Sequence, residues 1–409
     1  MILLKNCRLI PELTEDYDKQ KADVVIDEEK ILSITEPGEI KNFNGRIIDV
    51  AGNTLLPGFF DLHAHLYLSG LNLLLIDNKS TVETVFDTYA FSREYLRQGY
   101  TTIRDAGCRD NVTRGLMAAR RKGIINTPDI ISSGQIITPT ENGNDEYKTL
   151  YAVADGPDEF RKAARKQFEA GNDIIKVMIT GAFLNESGDP GQTIVTEEEL
   201  RALVQVAEMK NSYVMGHAHG ADGIKLGIRC GLRTIEHCCF IDDEAIQMFK
   251  DTDSCFMVPT GAVSMASIYD RECLREGAAE KSTMYEEIER TCVNNAYKAG
   301  LKMGFGSDVD YSGFVRNPGL EFIARTDWYD FAYKDILLQA TRYSAEIAGM
   351  DDCKGTVKAG KNAELVVIEG NPDEDIYVMR NRPRYVFFRG EVIENPQRHK
   401  PECSMAYEC

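Results

Sequence analysis

The sequence predicts a parallel (β/α)8 barrel accompanied by a small β-sandwich built from both ends of the chain. Three observations lead there. From residue 58 onward, short apolar runs alternate with longer amphipathic segments, the pattern of parallel strands returned by crossover helices. Candidate chemical residues stand at the C-terminal ends of those runs, where barrels of this kind assemble their sites. The two flanks instead carry short strand patterns, too few on either side for an independent sheet.

Taken in order, residues 1–57 contain MILLKNCRLI, ADVVIDEEKILSIT and GRIIDVAGNTLLP, with Asp27-Glu28-Glu29-Lys30 as a hairpin-like turn. The barrel is expected over residues 58–354. Its strands are GFFDLHAH, GYTTIRDAG, PDIISSGQII, DIIKVMITG, SYVMGHAH, LRTIEHCC, SCFMVPT and KMGFGSD. Helix-like stretches such as TVETVFDTYAFSREYLRQG and TEEELRALVQVAEMKN separate them. Pro157 suits the first turn of one helix, and Thr196 with Glu199 forms a capping box at the start of another. Residues 355–409 resume the strand pattern in GTVKAGKNAELVVIEG and RYVFFRGEVIE, the latter broken by an Arg389-Gly390 turn. With residues 1–57 they are expected to complete the sandwich. The closing stretch NPQRHKPECSMAYEC lacks periodicity and reads as a loose tail, in which His399 carries no functional signal.

A net charge of −18 over 409 residues argues against a nucleic-acid partner, whose phosphates would be repelled. No run approaches the roughly 18 apolar residues that span a bilayer, and MILLKNCRLIPELTED does not read as a signal peptide. Eleven cysteines without regular spacing suit a reduced, cytoplasmic protein rather than a disulfide framework. Cys238-Cys239 could offer thiolates to a site, but small buried packing residues are the better reading.

Five of the six histidines fall in three motifs: LLPGFFDLHAHL with His63 and His65, YVMGHAHG with His217 and His219, and RTIEHCCF with His237. Alternate residues on a strand point the same way, so His63 and His65 can reach one metal together. Asp308 in MGFGSDVD ends an apolar run, where a carboxylate is costly unless paired or metal-bound. Together with Lys176 in DIIKVMITG, these residues are a ligand set for two divalent metals, and the chain reads as a metallohydrolase.

Lys176 is the discriminating residue. A protonated lysine cannot bind a metal; a neutral amine that has reacted with carbon dioxide gives an anionic carbamate able to bridge two. The alternatives are pairing with a buried acid, or an ammonium that reaches out past the strand end. His219 would be surplus as a ligand and is expected behind the metals or against substrate, in a catalytic role alongside Asp308. Arg104 and Asp105 are expected to form a structural ion pair. Tyr311 and Arg316, on the loop after Asp308, are candidates for substrate contact by position, Arg316 as partner of a substrate carboxylate, with Asp310 beside them at the mouth.

These motifs closely resemble the amidohydrolase superfamily along nearly the whole chain: PGFFDLHAH its opening, GHAHG and IEH its middle histidines, GSD its closing aspartate. The resemblance implies a distorted barrel with a small sandwich, two divalent metals, usually zinc, and a carboxylated Lys176. Within the superfamily, GYTTIRDAG, DGPDEFRKAARKQFEAGNDIIKVMITG and HAHGADGI look most like the Xaa-Pro-dipeptidase-like group. One departure is that relatives carry a TGGH-like turn where this chain has IITPTENGNDEY. The expected activity is cleavage of an amide bond in a dipeptide or N-acyl amino acid by a metal-bridging hydroxide, in a homo-oligomer acting on small molecules. Opening of a cyclic amide or lactone is the alternative. A deaminase, which would lack the bridging lysine, or a non-catalytic binding protein, which would have lost ligands, fits less well.

Overall fold

The computed structural model describes residues 1–70, 78–142, 144, 148–183, 188–269, 274 and 276–395. The expected tail from residue 396 onward, His399 included, and part of the IITPTENGNDEY segment lie outside them. Strands β1 (Ile2–Arg8), β2 (Lys21–Asp27), β3 (Lys30–Thr35), β4 (Arg46–Asp49) and β5 (Thr54–Pro57) open the chain. They are followed by β6 (Phe59–Ala64), β7 (Tyr100–Asp105), β8 (Asp129–Ser132), β9 (Ile136–Thr138) and β10 (Tyr151–Val153). Next come β11 (Ile175–Met178), β12 (Val214–Gly220), β13 (Thr234–Phe240) and β14 (Phe256–Val258), and last β15 (Leu365–Ile368), β16 (Tyr385–Phe388) and β17 (Glu391–Glu394).

The two ends of the chain meet in one sheet, ordered β17-β16-β15-β5-β1-β2-β3 with β4 beside β1. Its seam is the antiparallel pair β5–β15, running from Leu365 opposite Pro57 to Ile368 opposite Thr54. Both expected turns close two-residue hairpins: Asp27 pairs with Lys30, and Phe388 with Glu391. Arg389 and Gly390 both take positive φ, 49° and 76°, which matches the twist of the flanking strands. Leu4, Val24, Leu55, Leu365 and Phe387 pack into a core of their own beneath this sheet.

Between the ends, parallel strands alternate with helices. They form two sheets, β6-β7-β8 and β10-β9-β11-β12-β13-β14. The third predicted run is divided between them: β8 ends at Ser132, Gly134 turns at φ 69°, and β9 begins at Ile136. The eighth run forms no ladder strand, yet it bonds to both neighbours. Gly304 N donates to Met257 O (2.9 Å), Phe305 O accepts from Leu62 N (2.7 Å), and Asp308 N donates to His63 O (2.8 Å). Gly306 permits that approach, because a Cβ there would stand 2.8 Å from both His63 Cβ and Val258 Cγ1.

The helices start where local chemistry dictates. Thr196 and Glu199 form the reciprocal capping box on the helix Glu197–Glu208, and Ser80 with Glu83 does the same for Thr81–Arg97. Pro157 occupies the first turn of Gly156–Glu169. On Glu197–Glu208, Leu200, Leu203 and Ala207 share the buried face; truncating such a leucine to alanine typically costs about 2–5 kcal/mol. No helix among the described residues is long and apolar enough to cross a membrane.

Candidate metal centre

Two clusters of donor atoms face each other at the C-terminal ends of the parallel strands. Within each, the ligand atoms lie within 4.8 Å of one another: His63, His65 and Asp308 in the first, His217, His219 and His237 in the second. The first is built on β6 and the end of the eighth run. His63 Nε2 and His65 Nε2 lie 3.7 and 3.6 Å from Asp308 Oδ1. Their other nitrogens are tied back, His63 Nδ1 to Glu236 Oε2 (2.8 Å) and His65 Nδ1 to the Gly107 carbonyl (3.0 Å). Each ring thus donates outward and presents Nε2 to the centre, the arrangement metal-ligating histidines adopt.

Beneath this cluster Asp61 acts as a clamp. One oxygen accepts from His63 N and Ser307 N, both at 3.0 Å; the other accepts from the Ser307 hydroxyl and, at 3.1 Å, from Tyr95. Burial pushes the Asp61 carboxyl up to about 6 against those hydrogen bonds. Glu236 makes a second brace: one oxygen holds His63, the other accepts from Arg104 Nη2 at 2.9 Å and from Thr234. Arg104 also donates to Leu62 O (2.6 Å), and both Arg104 and Glu236 are fully buried.

The second cluster rests on β12 and β13, in register so that His217 lies beside Glu236 and Ala218 beside His237. Its supports are neutral. His217 Nε2 meets the Gly181 carbonyl (3.2 Å), His237 Nδ1 the Thr260 hydroxyl (2.8 Å), and His219 Nδ1 the Cys239 sulfur (3.0 Å). His219 and His237 stack at 4.8 Å, and Phe183 meets the His219 ring edge-on at 4.6 Å. His237 and Asp308, one from each cluster, hold left-handed backbone at φ 67° and 55°, an uncommon conformation outside glycine that carries strain.

Lys176 sits between the clusters, with Nζ 3.4 Å from His63 Nε2. Burial lowers its ammonium to about 8, opposed by the negative fields of Glu236 and Asp308. Burial likewise raises the Asp308 carboxyl to about 7, with Lys176 pulling the other way. All five imidazoles are driven toward neutrality, first by burial: His65 to about 4, His219 to about 3, and the others well below the usual range. Neutral imidazole is the metal-binding form. Five imidazoles with a carboxylate and a lysine of weakened basicity therefore fit a divalent-metal centre by their donor chemistry.

The amidohydrolase family profile matches residues 54–393. The chain belongs to that family. Among curated relatives, the ochratoxinase of Aspergillus niger is 25% identical over 373 residues, covering 84% of this chain and 76% of that enzyme. A prolidase solved in complex with N-methylphosphonate-L-proline is 29% identical and superposes with a TM-score of 0.87, over 97% of this chain and 100% of its own. A Xaa-Pro dipeptidase with methionine in its active site is 25% identical, with a TM-score of 0.86 over 96% and 100%. These neighbours agree with the Xaa-Pro-dipeptidase-like group within the amidohydrolases and support a hydrolase acting on amide bonds.

Within this amidohydrolase site the structure gathers His63, His65, Lys176, His217, His219, His237 and Asp308 around one cavity. His219, expected behind the ligands or against substrate, belongs by distance to the second cluster. Asp310 lines the cavity but also caps the helix Tyr311–Arg316, accepting from Ser312 N and Gly313 N. Tyr311 packs on Phe91 at 5.3 Å, away from that cavity, and Arg316 is exposed, with Nε donating to Ser312 O. Arg104 pairs with Glu236 rather than Asp105, because neighbouring residues on β7 point to opposite faces. Asp105 instead accepts from Leu66 N. Glu236 and Asp61 stand inside the quoted motifs, but their supporting roles were not read from the sequence. Thr260 and Cys239 are not marked by motif spacing.

Proposed function

We propose that this chain is a metal-dependent amidohydrolase that cleaves the amide bond of a dipeptide or an N-acyl amino acid with an apolar side chain. The observation that carries this reading is the pair of histidine clusters flanking a buried lysine. His63, His65 and Asp308 would hold one divalent cation, and His217 with His237 a second, with zinc the expected ion and a carboxylated Lys176 as the shared anion. When bound, two such cations lower the pKa of water and polarise the scissile carbonyl. Asp308 takes up the proton released as the bond is attacked and returns it to the leaving amine. His219 turns its second nitrogen toward substrate. Leu68, Ile136, Met178, Phe183 and Val263 give the cavity apolar walls and exclude water. Residues 58–354 carry this chemistry, and residues 1–57 with 355–395 form the accompanying sandwich. The alternation of parallel strands with helices supports a distorted eight-stranded barrel for the central part.

The test is a panel of dipeptides and N-acyl amino acids, varied in both residues, incubated with zinc-loaded protein and read by amine release. Hydrolysis that collapses on metal removal is the expected result. Opening of cyclic amides or lactones with no cleavage of any linear amide would overturn it.

A further inference from the structure

The cavity does not end at the metal-facing residues. It is also lined by two helices, with Val263, Ser264, Ser267 and Ile268 on Gly261–Tyr269 and Ser282 and Glu289 on Glu276–Lys298. Helical spacing puts residues 282, 285 and 289 on one face of the second helix. Tyr285 on that face meets Phe183 at 5.8 Å and Phe240 at 4.8 Å, and Phe183 meets His219 at 4.6 Å. An aromatic wall thus joins the histidines to this recess.

Glu289 is the group there that the hydrolysis does not use. Its side chain is only 5% exposed, yet it lines the cavity. The Tyr329 hydroxyl donates to Oε1 at 2.5 Å, and no lysine, arginine or histidine among the described residues forms an ion pair with it. Burial raises its carboxyl above the usual range, and the negative field of Glu286 adds to that rise. A buried carboxylate is costly until a cation joins it. We propose that Glu289 is a specificity-determining residue that selects substrates with an apolar side-chain stem ending in a cationic nitrogen, an ammonium or a guanidinium. The inference rests on the amide hydrolysis proposed above and narrows its apolar side chain to one with a charged tip.

The hydrogen-bonding inventory of the recess points the same way. The Ser267 hydroxyl donates to Val263 O at 2.7 Å and that of Ser264 to Thr260 O at 3.4 Å, which leaves both oxygens as acceptors. A carboxylate only accepts as well. Trp328 lines the cavity with its ring, while its Nε1 is buried without a partner and away from the cavity surface. Acceptors gathered at the end of an apolar passage match a group that only donates, as ammonium and guanidinium do. An uncharged methyl tip would leave the carboxylate without its cation, and a hydroxyl tip would supply one hydrogen and no charge.

Dipeptides with lysine, arginine, norleucine or 6-hydroxynorleucine at either position, and alanine at the other, test this on zinc-loaded protein. At one of the two positions kcat/KM is expected to favour a cationic side chain over norleucine by on the order of 100-fold, as buried charge pairs do across interfaces. The hydroxyl analogue is expected to stay close to norleucine. In Glu289→Gln, whose amide oxygen still accepts from Tyr329, the preference is expected to vanish through loss on the cationic substrates, whereas a merely structural role would lower all four alike. Norleucine or 6-hydroxynorleucine cleaved as well as lysine and arginine, or a preference that survives Glu289→Gln, would overturn the proposal. Calorimetry with the reduced CH2–NH analogues of the same peptides, which cannot be cleaved, is expected to give the same ranking. Equal affinity, or none, would overturn the inference, whereas that ranking without cleavage of any peptide would count against the proposed function alone.

Discussion

The two histidine clusters have similar donors and each rests one ring on a backbone carbonyl, but only the first rests another on a carboxylate. The first is braced by charge: His63 leans on Glu236, which is locked to Arg104 in a fully buried pair, and Asp61 clamps the backbone of His63 and Ser307. The second leans on a carbonyl, a hydroxyl and a thiol. A carboxylate behind an imidazole raises its basicity and fixes its orientation more firmly than a neutral acceptor does. The contrast assigns a tight, rigid position to the first cluster and a looser, more adjustable one to the second, on the side where His219 and Cys239 also stand.

The harshest way to break this asymmetry is to remove the group between the clusters. Lys176→Ala is expected to lose most bound metal and nearly all activity, and added short carboxylic acids should partly restore both. Two metals per chain and full activity in that variant, by elemental analysis and assay, would end the binuclear reading. Glu236→Gln comes next. It should weaken metal at the first cluster by about 10- to 100-fold and destabilise the fold by about 3–5 kcal/mol through the unpaired Arg104. The matched change at the second cluster, Thr260→Val, is expected to cost less on both scales, about 1 kcal/mol for one lost hydrogen bond. Equal metal loss in Glu236→Gln and Thr260→Val, titrated with a competing chelator, would erase the distinction. His219→Gln tests the boundary of the second cluster, since loss of one metal equivalent would make it a ligand, whereas retained metal with impaired turnover keeps it against substrate.

That these side chains would gather in one place was legible in the sequence because each ends an apolar run in a fixed motif, and strand geometry makes His63 and His65 a pair. What supports them was not. Arg104 and Asp105 are adjacent in the chain, but alternation on the strand sends Arg104 to Glu236 on β13. Arg316 follows Asp308 closely in sequence, yet a short helix capped by Asp310 carries it to an exposed position. The breaks between β8 and β9, and at the eighth run, come from glycines whose close contacts only the folded chain reveals. The terminal sheet, by contrast, was readable down to its hairpin turns, since turn chemistry is local.

The smallest expected effect lies outside both clusters and calibrates the others. Hydrogen bonds from Thr356, Lys358 and Lys361 hold the Glu15 carboxyl down to about 2, against its burial. Because its folded pKa lies below the ordinary value near 4.5, Glu15 stabilises the fold above that pH, and the contribution fades as pH falls from about 4.5 toward 2. Its side chain is 30% exposed, so solvent screening keeps the gain near 1 kcal/mol. Melting temperatures of wild type and Glu15→Gln should differ by a few degrees at pH 7 and converge in acid. A constant gap across that range would detach the effect from the Glu15 charge.

The left-handed backbone at His237 and Asp308 also bears on how this protein would respond to selection for heat resistance. Glycine tolerates such φ values better than histidine and aspartate do. A library screened only for survival at high temperature should therefore enrich Gly at 308 and 237, each relieving strain while giving up a proposed metal ligand. Thermostable variants would accumulate at the very positions the proposed chemistry cannot spare, and only a screen that also demands turnover would hold them in place.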